Sequence, residues 1–406
     1  MTLQVIEYEE IDEKKIEKIV KNHQKAKKIF KKLEQFAQDN ENRFLIYSRS
    51  GRLKSQNYVG IIETKSGFVV EILPKIAKSD NKKASKSILL KMLRFYDKKF
   101  HHFQLASLKT KKLPLYEIFI SMFLDEMDMI RKRGIKHDYI IKEQNQKFLK
   151  GKLKLNDHIR QNFAHQELFF VAFDEYLPNR IENKILKTTL LKLAKITKSI
   201  SNQQRIREFL LVLDEVEPIT HNIAHAFSRI KIDRTMEYYA NALAWAKLFL
   251  MGKSFTSYKG DSIAFALLFD MNKVFERYVG RLLKKQCKNV KLQHSRYCLF
   301  DEDCSRFRLK PDIVINDGEI IADTKWKIIQ SEQDISQIDL YQIFAYAAKY
   351  KNCKKVLLIY PKINDDLRIV NHFSIRKQKN ILFEICFVDL QKPQICNEHI
   401  CAPIRK

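Results

Sequence analysis

The sequence predicts a multidomain chain of mixed α+β and α/β character. It has a β-rich N-terminal domain, a helical middle region, and a C-terminal core of mixed sheet flanked by helices. Three observations carry this. The 406 residues allow two to three domains at about 150 residues each. Apolar residues make up 45% of the chain against only 9 Gly and 8 Pro, which excludes collagen-like and globally disordered chains. The apolar spacing also changes along the chain, from short strand-like runs, to helical spacing, to strands interleaved with helices after about Gly260.

From the N-terminus, Ile11 to Gln38 has the spacing of a charged amphipathic helix, with Ile16, Ile19, Val20, Phe30, Leu33 and Phe36 as its apolar positions. Strand-like runs follow at Arg43–Tyr47, Tyr58–Thr64 and Phe68–Leu73, with Ser66-Gly67 as a turn and Pro74 as a stop. Lys75 to Lys86 reads as a basic loop. From about Ser87 to Gly252 the pattern is mostly helical, interrupted by a hairpin-like basic patch from Phe148 to Leu155. A boundary near Gly260 completes a division into residues 1–86, 87–260 and 261–406.

Charge narrows the class of partner. With 75 Lys and Arg against 48 acids the net charge is +27, which favours a polyanion such as nucleic acid or an acidic membrane face. No apolar stretch approaches the roughly 18 residues of a membrane span; Ala240 to Met251 is shorter and carries Lys247. The acidic start Met1–Glu10 lacks the basic and apolar regions of a signal peptide. All 7 cysteines lie between Cys287 and Cys401, odd in number and without a C-x-x-C pair. Reduced thiols in the cytoplasm are expected, in place of a disulfide framework or a zinc knuckle.

Two motifs are set aside. Gly252-Lys253-Ser254 ends like a phosphate-binding loop, but Lys247 stands where the first glycine belongs and a helical pattern precedes it. The strand-and-acid run Leu210–Glu215 comes before that loop, so no nucleotide site is expected on this chain. His221 and His225 lie one helical turn apart, yet Asn222 stands where a zinc-protease motif needs its Glu. Solvated or capping histidines are the plainer reading.

The chemistry concentrates between Phe307 and Pro361. Pro311-Asp312-Ile313-Val314-Ile315 reads as a strand, Asn316-Asp317-Gly318 as a hairpin turn, and Glu319 to Lys327 as the returning strand. Side chains alternate along a strand, so Asp323 and Lys325 share a face, and the hairpin brings Asp312 beside them. Two carboxylates and an ammonium at one sheet edge suit phosphodiester hydrolysis with Mg²⁺. Upstream, Asp270 to Tyr278 opens a helix whose Glu276 could add a third carboxylate. Downstream, Asp339 to Tyr346 is helical, with Gln342 and Tyr346 sharing a face, and leads into the apolar strand Val356–Tyr360. A lone D-x-K on a strand is commonly only a surface ion pair. The order helix–Glu, strand–Asp, turn, strand–Asp-x-Lys, helix–Gln is far more specific.

That order resembles the PD-(D/E)xK nuclease superfamily and, over most of the length, the McrC family of the McrBC-type modified-cytosine restriction system. The N-terminal part contributes Asn57-Tyr58-Val59-Gly60 and Glu71-Ile72-Leu73-Pro74-Lys75. The middle contributes Arg133-Gly134-Ile135, Lys150-Gly151-Lys152-Leu153, Asp174-Glu175-Tyr176 and Asn183-Lys184-Ile185-Leu186-Lys187. The C-terminal part contributes Phe269-Asp270-Met271-Asn272, Phe275-Glu276, Pro311-Asp312, Asp323-Thr324-Lys325 and Tyr341-Gln342.

The resemblance implies that Asp312, Asp323 and Lys325 are the catalytic core, that Glu276 assists Asp312 and Asp323 in metal binding, and that Gln342 lies near the backbone or a metal-bound water. It further implies a PD-(D/E)xK endonuclease domain at 261–406, a partner-docking domain at 1–86, double-stranded DNA as substrate, and a separate McrB-like AAA+ GTPase as the motor. Candidate DNA contacts are Lys284, Lys285, Lys288, Lys325 and Lys327, then Lys150, Lys152, Lys154 and Arg160; any one of them is otherwise an ordinary surface charge. The residues that would touch the motor are not legible, the basic loop at 75–86 being one option. Two other classes stay open: a non-catalytic NTPase regulator on a nuclease-like scaffold, and a stand-alone repair or recombination nuclease.

Overall fold

The structure, a computed structural model, describes residues 1–48, 51–76, 82–96, 113–165, 167–230, 232–251, 259, 262–300, 307–362, 373–374, 381–391 and 394–395. In chain order the N-terminal part comprises β1 (Thr2–Ile6), β2 (Glu10–Ile11), α1 (Glu13–Val20), α2 (His23–Asp39), β3 (Leu45–Tyr47), β4 (Leu53–Ser55), β5 (Tyr58–Thr64), β6 (Val69–Leu73) and α3 (Lys82–Tyr96). Next come α4 (Leu115–Arg133), β7 (Asp138–Gln146), β8 (Lys152–Leu153), α5 (Leu155–Asn162), β9 (Phe169–Leu177), α6 (Ile181–Ile196), α7 (Ile200–Val212), α8 (Ile223–Ser228) and α9 (Ala240–Met251). The remainder is β10 (Ile263–Asp270), α10 (Met271–Gln286), β11 (Val290–Leu292), β12 (Ile313–Ile315), β13 (Ile320–Thr324), α11 (Gln337–Lys349), β14 (Lys355–Pro361), β15 (Phe373–Ser374), β16 (Leu382–Asp389) and β17 (Gln394–Ile395).

Two compact units form, residues 1–115 with 254–406 and residues 116–253, and their limits differ from the three expected segments. The reason is one sheet. Its order is β1-β6-β5-β10, so a strand from beyond the expected boundary, β10, closes the edge that β5 would otherwise leave open. The β5–β10 ladder runs antiparallel from Tyr58↔Asp270 to Thr64↔Ile263. Gly60 makes that approach possible: its φ is +138°, and a Cβ there would meet the Leu267 carbonyl oxygen at 1.9 Å. The expected single N-terminal helix is two. Lys21 turns left-handed at φ 55°, and Asn22 caps the second helix by accepting from Lys25 N. Strand β1 lay beneath an acidic N-terminal pattern; alternate burial of Leu3 and Val5 reveals its inner face.

In the first unit, the second sheet has the order β11-β12-β13-β14-β16-β15, with β17 on β16. The β12–β13 hairpin turns through Asn316, Asp317 and Gly318, all at positive φ, as Asn, Asp and Gly tolerate best. Then β13 pairs parallel with β14, and β14 with β16. Helix α11 supplies the β13-to-β14 crossover and buries Ile343, Tyr346 and Ala347 against the sheet.

The second unit is helical apart from a three-stranded sheet, β7-β9-β8. The basic patch at 148–155 is not a hairpin on itself. Its strand β8 pairs with β9, and Gly151 accommodates the close pass against Ala172. His225 lies in the first turn of the short α8, where its backbone N–H donates to the capping Asn222 side chain, and both His221 and His225 are exposed. The loop motif Gly252-Lys253-Ser254 and the boundary at Gly260 lie outside the described residues.

Cys287 and Cys298 are each engaged in a disulfide, which corrects the expectation of reduced thiols throughout. An odd total and the lack of a C-x-x-C pair do not prevent disulfide formation. Cys353 and Cys386 are buried thiols outside any disulfide; Cys304, Cys396 and Cys401 lie outside the described residues. Among the described residues, no helix is long and apolar enough to cross a membrane.

Candidate active site

The antiparallel register that pairs Ile313 with Ala322 puts Asp312 opposite Asp323. One step past the end of β13, the Lys325 ammonium meets Asp323 Oδ2 at 2.6 Å. The two-residue alternation therefore delivers both groups to one face, as the sequence implied. Asp312 is aimed by its neighbour across the hairpin: its Oδ2 accepts from Thr324 N at 2.8 Å and Thr324 Oγ1 at 2.7 Å. Helix α11 holds the lysine from the other side, where Gln342 Oε1 accepts from Lys325 Nζ at 2.7 Å. Gln342 Nε2 in turn donates to the Tyr346 hydroxyl at 2.7 Å, which donates to the Lys310 carbonyl at 3.3 Å. The i,i+4 pair on α11 is thus a brace for the ammonium.

Burial sets the electrostatics. Asp323 is 3% exposed, and loss of water followed by the charge of Asp312 raises its pKa to about 6. Asp312 is raised as well, by burial, with Thr324 and Lys325 pulling the other way. Glu276 reaches about 7, through burial and then the proximity of Asp312. Burial disfavours the Lys325 ammonium, but Asp323, Asp339 and Asp312 outweigh it and hold its pKa above the ordinary value. Carboxylates raised in this way favour a cation among them.

The sequence reading missed three of the supporting groups. Gln293 joins the two sides of the site, its backbone N–H donating to the Asp312 carbonyl at 2.8 Å and its side-chain amide donating to Glu276 Oε1. Asp339, 5% exposed, holds Lys327 at 2.6 Å and lies 3.7 Å from Lys325. Trp326 is buried behind the strand end. No periodic signal marks any of them, because each acts on a segment distant in sequence.

The ligand set is modest. Among the described residues, no three His, Cys, Asp or Glu side chains gather closely enough to hold an ion by themselves. Asp312 and Asp323 are the pair offered, and one or two carboxylates are what Mg²⁺ asks of a protein, since it keeps waters and takes phosphate oxygens for the rest. The donor set fits. Glu276 stands beside them with one oxygen already engaged by Gln293.

Of the candidate DNA contacts, Lys327 is tied to Asp339, and Lys285 lies 5.3 Å from the centre of the Phe95 ring. Lys284 and Lys288 are exposed at the far end of α10, the former about 12 Å along the axis from Glu276. In the second unit, Lys150 covers the Phe173 ring at 4.0 Å and Lys154 pairs with Glu143 at 2.9 Å, while Lys152 and Arg160 are exposed. The basic segment at 75–86 is anchored at both ends. Lys75 donates to the Trp326 carbonyl, and Lys86 forms a buried pair with Glu71 at 2.8 Å; residues 77–81 lie outside the described residues.

A family model described as the McrBC 5-methylcytosine restriction system component matches residues 53–361, which include β5, β6 and β10 of the first sheet and the hairpin site. The chain belongs to the McrBC family. Its fold is similar to a chain of the refined half-complex from the tetradecameric assembly of Thermococcus gammatolerans McrB AAA+ hexamers with bound McrC. That likeness has a TM-score of 0.71 at 20% identity and covers 96% of this chain and 95% of that one. A second likeness, to the cryo-EM structure of the Thermococcus gammatolerans McrBC complex, has a TM-score of 0.50 at 23% identity, covering 70% and 88%. A search of curated proteins finds no significant match.

Proposed function

We propose that this McrBC-family chain is the nuclease subunit of a GTP-driven, modification-dependent restriction complex. It is a Mg²⁺-dependent endodeoxyribonuclease of the PD-(D/E)xK type that cuts double-stranded DNA and stimulates the GTPase of a McrB-like AAA+ ring. The observation that carries the reading is the Asp323–Lys325 contact at 2.6 Å at the end of a strand, with Asp312 directly across the hairpin. Family membership and the fold shared with an assembly of McrB hexamers with bound McrC support the partner. The +27 charge supports the substrate.

Asp312 and Asp323 would hold the ion, with Glu276 beside them. When bound, Mg²⁺ polarises a phosphoryl oxygen and lowers the pKa of a coordinated water. Lys325 is placed to stabilise negative charge that develops on the scissile phosphate. Gln342 and Tyr346 keep its ammonium from swinging to solvent, and Asp339 keeps it protonated. Thr324 fixes which Asp312 oxygen faces the site.

The test combines the chain with a McrB-like ring, plasmid carrying modified cytosine, GTP and Mg²⁺. Asp323→Ala is expected to lower cleavage by about 100-fold or more while GTPase stimulation persists. Cleavage retained by that variant would overturn the assigned site. A wild-type chain that stimulates GTP hydrolysis but never cuts would instead mark a non-catalytic regulator.

A further inference from the structure

One buried carboxylate in the nuclease-bearing unit belongs to none of the groups above. Glu7, at the exit of β1, is 4% exposed. Its two oxygens accept from the Trp326 indole N–H at 3.2 and 3.1 Å, and Oε2 also accepts from the Lys75 backbone N–H at 3.0 Å. Lys75, just past the end of β6, completes a ring of contacts by donating from Nζ to the Trp326 carbonyl at 3.1 Å. Its ammonium also lies 4.8 Å from the centre of the Tyr8 ring. Strands β1 and β6 pair in parallel, Ile6 beside Leu73, so both clamp residues leave the sheet at the same end.

The clamped residue directly follows Lys325. Trp326 is 2% exposed, and its ring packs on Phe275, 5.4 Å between centres, the neighbour of Glu276 on α10. The start of α10 is fixed to the same sheet, with Met271 N donating to the Asn57 carbonyl at 3.0 Å and Asn57 Nδ2 donating to Asp270 Oδ1 at 3.2 Å. The strand end that bears Lys325 and the helix that bears Glu276 therefore share one reference frame, the β1–β6–β5–β10 sheet. Packing alone does not call for a carboxylate here. An apolar side chain would fill the space without the desolvation cost, whereas a carboxylate gripping an indole N–H selects one orientation of the ring.

We propose that Glu7 and Lys75 are positioning residues, which lock Trp326 and thereby hold the Lys325 ammonium in register with Asp312 and Asp323. The proposal rests on the nuclease reading given above. An error of about 1 Å in a catalytic group can cost on the order of 100-fold in rate, so a clamp one residue away has leverage over cleavage.

The test uses the full chain in complex with a McrB-like ring, carrying 5-fluorotryptophan at its 2 tryptophans. Loss of one ¹⁹F resonance in Trp326→Phe assigns the signal. Glu7→Gln and Lys75→Met are expected to shift that resonance and to lower kcat for cleavage by roughly 10- to 100-fold, with KM for DNA unchanged. Glu7→Asp, which keeps a carboxyl group, is expected to recover part of kcat. A shifted Trp326 resonance with wild-type kcat would overturn the proposal, as would a loss confined to KM. If the wild-type complex does not cut at all, the nuclease reading fails instead, and the resonance still reports whether the clamp exists.

Discussion

At the strand end, the ionisation of a few carboxylates decides what each group can do. Asp323, pushed up to about 6, and Glu276, pushed up to about 7, are raised because burial and then the charge of Asp312 oppose their ionisation. Glu7 is the clearest case for stability. Burial comes first, and lifts it to about 7 from an ordinary 4.5 even though Lys75 and Trp326 pull it down. Folding thus favours its protonated form. Its contribution is fully present below about pH 4.5 and is lost as the pH rises through about 7. The Tm of wild type minus that of Glu7→Gln is therefore expected to fall from about pH 5 to about pH 8 in a metal-free melt, and a difference that does not change with pH would count against the assignment. Asp312, Asp323, Lys325 and Gln342 were legible in the sequence because alternation along a strand and i,i+4 spacing on a helix are local rules. Gln293, Asp339 and Glu7 were not, because their partners lie 17, 12 and 319 residues away.

Among the elements, β10 has the widest consequence. It joins the expected nuclease segment to the N-terminal sheet, and Gly60 permits the join. Gly60→Ala would place a methyl group on the Leu267 carbonyl in a backbone conformation that L-residues resist. It is expected to cost about 2 kcal/mol or more, a drop in Tm of roughly 4–8 °C by calorimetry. An unchanged transition would contradict the close approach. The same join bears on docking experiments. Deleting residues before Ser87 would remove three of the four strands in this sheet, so partner contacts are better mapped by point substitution. The strands β5 and β6 and the helices α10 and α11 were legible from apolar spacing. The boundary between segments was not, since nothing local in Ile263–Asp270 names β5 as its partner.

Taken whole, the molecule carries +27 over two compact units, and the lysines differ in availability. Lys284, Lys285, Lys288 and Lys327 are all exposed, but the Lys285 ammonium lies 5.3 Å from the centre of the Phe95 ring and Lys327 is held by Asp339 at 2.6 Å. Substituting Lys284 and Lys288 together by Ala is expected to flatten the log–log salt dependence of DNA binding by about 0.9 for each phosphate that is no longer neutralised. Lys285→Ala should leave that slope unchanged, and an equal effect would show that the Phe95 contact does not keep Lys285 from the DNA. The overall charge was readable at once, because it is a sum; which charges are free depends on the fold. The most direct measurement is Mn²⁺ binding to the chain alone, by titration calorimetry at neutral pH, comparing wild type with Asp323→Asn. The account predicts one site in the wild type that Asp323→Asn abolishes with the fold intact by circular dichroism, and a variant that binds as tightly as the wild type would contradict it.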